Sequence, residues 1–135
     1  MDIGHGAASF SYAVGMAGLK HGIVPTTIST DLHMRNVDGP VWELSLVMSK
    51  LLALGMRFDD VIAGVTANAL KAVALPHDDL LAVGAEARLT AFDLVDCDLT
   101  LPDSQKNPLR IARRFLPRRT IIGRSVVAAG SRYRG

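Results

Sequence analysis

Asp2-Ile3-Gly4-His5-Gly6 and, one structural unit later, Ile28-Ser29-Thr30-Asp31-Leu32-His33 decide how this chain reads. Each is a short apolar run that ends in a polar side chain able to do chemistry. Between them, Phe10, Ala13, Val14, Ala17 and Leu19 recur at a loosely helical spacing, with Ser9 as N-cap and Gly22 as stop. Pro25 then leads into Thr26–Thr30, β-branched at four of five positions, the composition of a buried parallel strand. Strand, helix, strand with reactive residues at the strand ends is the layout of an α/β fold of the (β/α)₈ TIM-like type, where the C-terminal strand ends carry the active site. Such a barrel needs about 250 residues, and the chain has 135. The expectation is therefore the C-terminal part of a barrel: its last two strands and the helices after them.

Further along, Gly39-Pro40 opens a helix over Val41–Met56 that is apolar on most sides and so reads as buried, with Gly55 ending it. Asp59 or Asp60 caps another helix that runs to about Leu75 and stops at Pro76. The texture then changes. Leu89–Val95, Leu99–Leu101 and Thr120–Ala129 are strand candidates, and Pro102 to Pro108 reads as an exposed, turn-rich loop. The division implied is residues 1–77 as barrel and 78–135 as strands of a small β-sandwich.

Hydrophobic residues make up 49% of the chain and mean hydropathy is +0.25, enough for a packed core. No run reaches the roughly 18 apolar residues of a membrane span, and the opening residues do not read as a signal peptide. A lone Cys97 excludes an internal disulfide and fits a reducing, cytoplasmic compartment, where it reads as a small packed hydrophobe. Charge is uneven. Up to Asp103 there are six basic and thirteen acidic residues, and after it nine basic residues and no acid. That segment could bind an anionic partner, but Phe115, Ile121, Ile122, Val126 and Val127 within it call for burial. The ordinary reading is that it lies against the acidic part of its own chain.

Asp31 is the strongest candidate for chemistry, because a carboxylate ending an apolar strand is costly to bury without a partner such as a metal ion. His5, between two glycines, presents a ring on bare backbone where a ligand can approach. His33 reads as surface or as support behind a metal, and His21 and His77 as surface residues. Without H-x-H or C-x-x-C, the chain cannot by itself supply three or four metal ligands.

These segments, together with Gly39-Pro40-Val41, Met48-Ser49-Lys50-Leu51-Leu52-Ala53-Leu54-Gly55-Met56 and Leu81-Ala82-Val83-Gly84-Ala85, resemble the C-terminal portion of the amidohydrolase superfamily, closest to deacetylase and dihydroorotase-like metallohydrolases. Asn68-Ala69-Leu70 and Arg88 depart from the usual pattern in the C-terminal part. The resemblance implies a barrel with a small β-sandwich and one or two divalent metals, usually zinc. Of the metal-binding set only an aspartate maps here, onto Asp31, as metal ligand and proton shuttle. His5 would touch substrate.

The reading is a C-terminal fragment of a metal-dependent enzyme that hydrolyses an amide, cyclic amide or ester, with the isolated chain inactive. Its partners would be a small-molecule substrate, the missing N-terminal part of the parent and, in one arrangement, a second copy. No membrane is expected. The rival is a non-enzymatic remnant that binds a partner or nucleic acid through its arginines. Nucleic acid is disfavoured, because aromatic residues are only 5% of the chain and stacking platforms need them.

Overall fold

A computed structural model of the chain describes residues 1–76, 81–131 and 133. His77, the boundary expected at 77/78, Arg132 and Arg134 lie outside the described residues. Strand β1 (Asp2–Gly4) and strand β2 (Thr27–Ser29) pair in parallel, Asp2 opposite Thr27 and Gly4 opposite Ser29, with helix α1 (Tyr12–Lys20) between them in sequence. Helices α2 (Leu44–Ala53), α3 (Phe58–Val65) and α4 (Ala67–Ala72) follow. Strands β3 (Arg88–Pro102), β4 (Pro108–Ile122) and β5 (Ser125–Ala128) form one antiparallel sheet in the order β3-β4-β5. Among the described residues there is thus one strand–helix–strand unit with a two-stranded parallel sheet and one three-stranded antiparallel sheet, but no complete barrel.

The strand–helix–strand start stands as read, but the helices are shorter. α1 begins at Tyr12, not after Ser9, and its N-cap Ser11 makes no side-chain cap. α2 begins at Leu44, because Trp42 has a positive φ of 58° and interrupts the run from Val41. Pro40 therefore precedes the helix and is not in its first turn. At the far end Gly55 does close α2: its φ is 102°, its amide reaches Leu52 O, and the Met56 amide reaches Leu51 O. That is a Schellman closure, in which the left-handed residue favours glycine. The helix expected to run from Asp59 or Asp60 to Leu75 starts at Phe58 and breaks at Thr66, whose φ and ψ are −128° and −105°. Its two aspartates lie in the first turn, where they oppose the helix dipole favourably.

In the C-terminal half, the two expected strands over 89–101 are one strand, kept continuous across a register shift between Asp96 and Leu99. β4 starts at Pro108, well before the expected Thr120. Its arginines sit across from the acids of β3: Arg110 Nε is 2.8 Å from Asp98 Oδ1, and Arg118 Nε is 2.7 Å from Asp93 Oδ2. The sequence pattern hid this strand, because exposed arginines mask the alternation of Leu109, Ile111 and Phe115. Phe115 is buried as expected. Ile122, Val126 and Val127 are exposed, because no described residue packs over β5 at the sheet edge.

The core is centred on α2 and joins both halves of the chain. Phe10, Tyr12, Ile28, Val47, Met48, Leu51 and Val61 pack with Phe115 of β4 in one cluster. Full burial of a side chain such as Phe115 contributes roughly 1.5–3 kcal/mol. Ser49 Oγ accepts from the Phe115 amide at 3.0 Å and donates to Ser45 O at 2.6 Å, so the helix and the strand are also tied by a buried hydroxyl. Leu46, Leu101 and Ile111 form a smaller cluster against which Cys97 packs, its thiol donating to Ile111 O at 3.2 Å. No helix among the described residues is long and apolar enough to cross a membrane.

Candidate functional site

The two parallel strands carry a polar face and an apolar one. Ile28 faces the helices, so close that a Cβ on Gly64 of α3 would lie 2.9 Å from its Cδ1. On the opposite face, Asp2 accepts from Thr27 Oγ1 at 2.7 Å and from Ser29 Oγ at 2.6 Å. Asp2, Gly4, Ser9, Ser29 and Asp31 line an open concavity of about 650 Å³ on that face. An apolar cleft of about 550 Å³ between β1 and α1, lined by Phe10, Val14, Leu19 and Ile23, does not include Asp31.

Asp31 stands just past the C-terminal end of β2 and is exposed, not buried as its apolar strand implied. Its backbone is left-handed, with φ 48°. A buried residue that the sequence did not flag holds it there. Asn36 donates from Nδ2 to Asp31 O at 2.8 Å and accepts from the His33 amide at 2.8 Å. Its own carbonyl takes the amides of Gly39, Val41 and Trp42 at 3.2–3.3 Å. Aspartate and asparagine tolerate left-handed backbone better than other non-glycine residues, so the turn is suited to carrying a carboxylate. His33 is exposed, and its Nδ1 accepts from the Arg35 amide at 3.1 Å.

His5 corrects the sequence reading. Its ring is 1% exposed and does not stand on bare backbone facing a ligand. Nδ1 lies 3.0 Å from Gly6 O and Nε2 lies 2.8 Å from Lys50 Nζ, so both nitrogens are engaged. Burial, and then the Lys50 charge, pulls the imidazole from 6.5 down to about 4. Lys50 is itself fully buried. Its Nζ also donates to Pro40 O at 2.6 Å and to Pro102 O at 2.8 Å, and it lies 5.5 Å from the Trp42 ring centroid. Burial pulls it from 10.5 to about 7, against the pull of the Asp103 charge.

Asp103 completes this interior cluster and overturns the exposed loop expected over 102–108. It is 1% exposed and accepts the amides of Tyr12, Gln105 and Asn107 at 2.8–3.0 Å. Burial works against its charge, and those hydrogen bonds outweigh it, so its carboxyl is held below the ordinary value. The one local sign of this cluster was a lysine on a helix that is apolar on most sides.

Among the described residues no three His, Cys, Asp or Glu side chains gather into a possible metal site. Both His5 nitrogens are engaged, and the carboxylate that shares the concavity with Asp31 is that of Asp2.

The comparisons with known proteins fit this geometry. The chain is 46% identical over 133 residues to a deacetylase of Brucella anthropi, covering 98% of this chain and 33% of that one. The figures for a deacetylase of Agrobacterium fabrum are 46%, 98% and 32%. A solved structure of a dihydroorotase superposes with a TM-score of 0.94 at 45% identity, over 96% of this chain and 34% of that one. The chain belongs to the amidohydrolase superfamily. A second solved superfamily structure, of an adenine deaminase, superposes with a TM-score of 0.87 at 32% identity, over 95% of this chain and 35% of that one. No family model matches the chain. This amidohydrolase chain matches the C-terminal part of its relatives and spans about a third of their length.

Proposed function

We propose that the chain supplies the proton-transferring edge of a metal-dependent hydrolase that cleaves a non-peptide carbon–nitrogen bond, an amide or cyclic amide, or an ester. Asp31 carries the proposal. Among the described residues it is the carboxylate at the C-terminal end of a parallel strand, exposed on the polar face and fixed by Asn36. A carboxylate so placed takes a proton from the attacking water and returns it to the leaving nitrogen, base first and acid second. Support comes from relatives named deacetylase and from solved neighbours titled dihydroorotase and adenine deaminase.

Among the described residues Asp31 is the one this reading offers to a divalent ion, zinc above all, with the remaining ligands supplied from outside them. On this reading the two parallel strands are the last two of a barrel, and β3–β5 belong to a small sandwich beside it. The chain alone is inactive. It works in the cytoplasm on a small molecule, joined to the two thirds of its relatives' length that it does not span. His5 serves the substrate through the strand end it shapes, not by contact.

The test is Asp31→Asn in a protein of the relatives' full length that carries this chain. General acid–base groups contribute roughly 10²–10⁴-fold, so kcat should fall at least about a hundredfold with little change in Tm. Near-normal turnover would remove Asp31 from the reaction.

A further inference from the structure

Three segments far apart in sequence meet on one nitrogen. Lys50 Nζ lies 2.8 Å from His5 Nε2 at the exit of β1, 2.6 Å from Pro40 O in the loop after β2, and 2.8 Å from Pro102 O at the end of β3. An ammonium has three donors and no acceptor, and three acceptors stand here. Gly6 O, 3.0 Å from Nδ1, can only accept, so the neutral ring carries its proton on Nδ1 and leaves Nε2 bare to accept from Lys50. The hydrogen-bond network thus assigns the tautomer.

From His5 the connection reaches Asp31 by two routes. Gly6, held by the His5 ring, donates its amide to Thr30 O at 3.1 Å. It sits so near the site that a Cβ on it would lie 2.9 Å from Asp31 Oδ2. On the other side, Pro40 belongs to the loop that Asn36 gathers, and Asn36 holds Asp31 O. Among the described residues the hydrogen-bond partners of Lys50 are His5 and the two carbonyls, with the Trp42 ring 5.5 Å from its nitrogen.

We propose that Lys50 is a positioning residue for Asp31: it fixes His5 in the Nδ1–H tautomer and anchors both strand exits that frame the carboxylate. The inference rests on the reading of Asp31 as the proton-transferring group. It concerns residues that touch no substrate.

Long-range ¹H–¹⁵N correlation on the ¹⁵N-histidine-labelled chain tests it, in solution or by magic-angle spinning should the chain associate. A His5→Gln spectrum assigns the His5 ring. The native chain should show His5 protonated at Nδ1 and bare at Nε2. Lys50→Met, which keeps length but no donor, should lose that signature and shift the backbone resonances of Gly6 and Asp31. His5 protonated at Nε2 in the native chain would overturn the proposal, and that measurement needs no folded variant. A folded Lys50→Met chain with an unchanged His5 tautomer and unmoved Asp31 would overturn it equally, leaving Lys50 a tie and nothing more. These outcomes are independent of turnover. Failure of the Asp31→Asn assay would remove the catalytic reading while leaving the tautomer result standing.

Discussion

The side chain of Asp103 caps a helix that begins 91 residues before it: Oδ2 accepts the Tyr12 amide at 3.0 Å. Ser11, the local N-cap, makes no side-chain bond, so a residue of the β3–β4 turn does what a neighbouring serine or threonine ordinarily does. The same carboxylate takes the Gln105 and Asn107 amides and the Asn107 Nδ2 group, which closes the turn on itself. Tyr12 in turn donates its hydroxyl to Leu101 O at 3.1 Å.

Asp103→Ala should therefore destabilise the chain by more than a surface change does. A lost cap costs about 0.5–2 kcal/mol, and hydrogen bonds to a charged group contribute roughly 1.5–3 kcal/mol. A loss of at least about 2 kcal/mol in urea unfolding is expected, with Asp103→Asn intermediate because it keeps one acceptor oxygen. Equal midpoints for Asp103→Ala and the native chain would show that the turn closes without it.

Stability should rise with pH over most of the accessible range. His5 titrates near 6.5 when unfolded and at about 4 when folded, so the unfolded chain binds its proton first. Its contribution is complete above 6.5 and is lost as pH falls through 4. Lys50 moves from 10.5 to about 7, and its contribution is complete above 10.5 and declines as pH falls to 7. Each slope approaches about 1.4 kcal/mol per pH unit within its window. Urea unfolding at fixed ionic strength from pH 4 to 10 checks this, and His5→Gln should flatten the acid limb alone. A fall in stability between pH 7 and 10 contradicts the Lys50 assignment, and stability that stays level from pH 6 down to 4 contradicts that of His5.

Local signals were legible and contacts across the chain were not. The β-branched run before Asp31, the glycine that closes α2 and the burial of that helix all follow from short-range pattern. Lys50 read as an ordinary helix residue, because its three acceptors come from positions 5, 40 and 102. Asp103 lay in a stretch whose polarity suggested solvent, yet polarity there serves a buried carboxylate. β4 was missed over residues 108–119 because its arginines are exposed, two of them in ion pairs with aspartates of β3. The place of Asp31 just past a strand end was legible from the run before it. Asn36, which holds it, sits in a loop that offered no periodicity to read.

Asn36→Ala should disorganise the loop after β2 without unfolding the strands. It leaves Asp31 O and the His33 amide without their partner, each worth roughly 0.5–1.5 kcal/mol net. A stability loss of about 1–3 kcal/mol is expected, with faster amide hydrogen exchange confined to residues 31–43. Exchange raised equally across α2 would mean that Asn36 supports the whole core and not the loop.

Gly6→Ala separates the geometry of the Asp31 turn from general stability. Gly6 has φ 55°, and an added Cβ would lie 2.6 Å from Ser9 Oγ and 2.9 Å from Asp31 Oδ2. Gly55→Ala is the matching control, since Gly55 has φ 102° and nothing within 4 Å of an added Cβ. Both replacements put a side chain into left-handed backbone, at roughly 1–2 kcal/mol. Only the first pushes on the carboxylate. A misplacement of about 1 Å in a catalytic group costs on the order of a hundredfold in rate. In a protein of the relatives' full length, Gly6→Ala should thus lower kcat by about tenfold to a hundredfold, while Gly55→Ala lowers Tm and leaves kcat unchanged. If the two variants lose stability alike and neither loses turnover, the contact between Gly6 and Asp31 has no part in the chemistry.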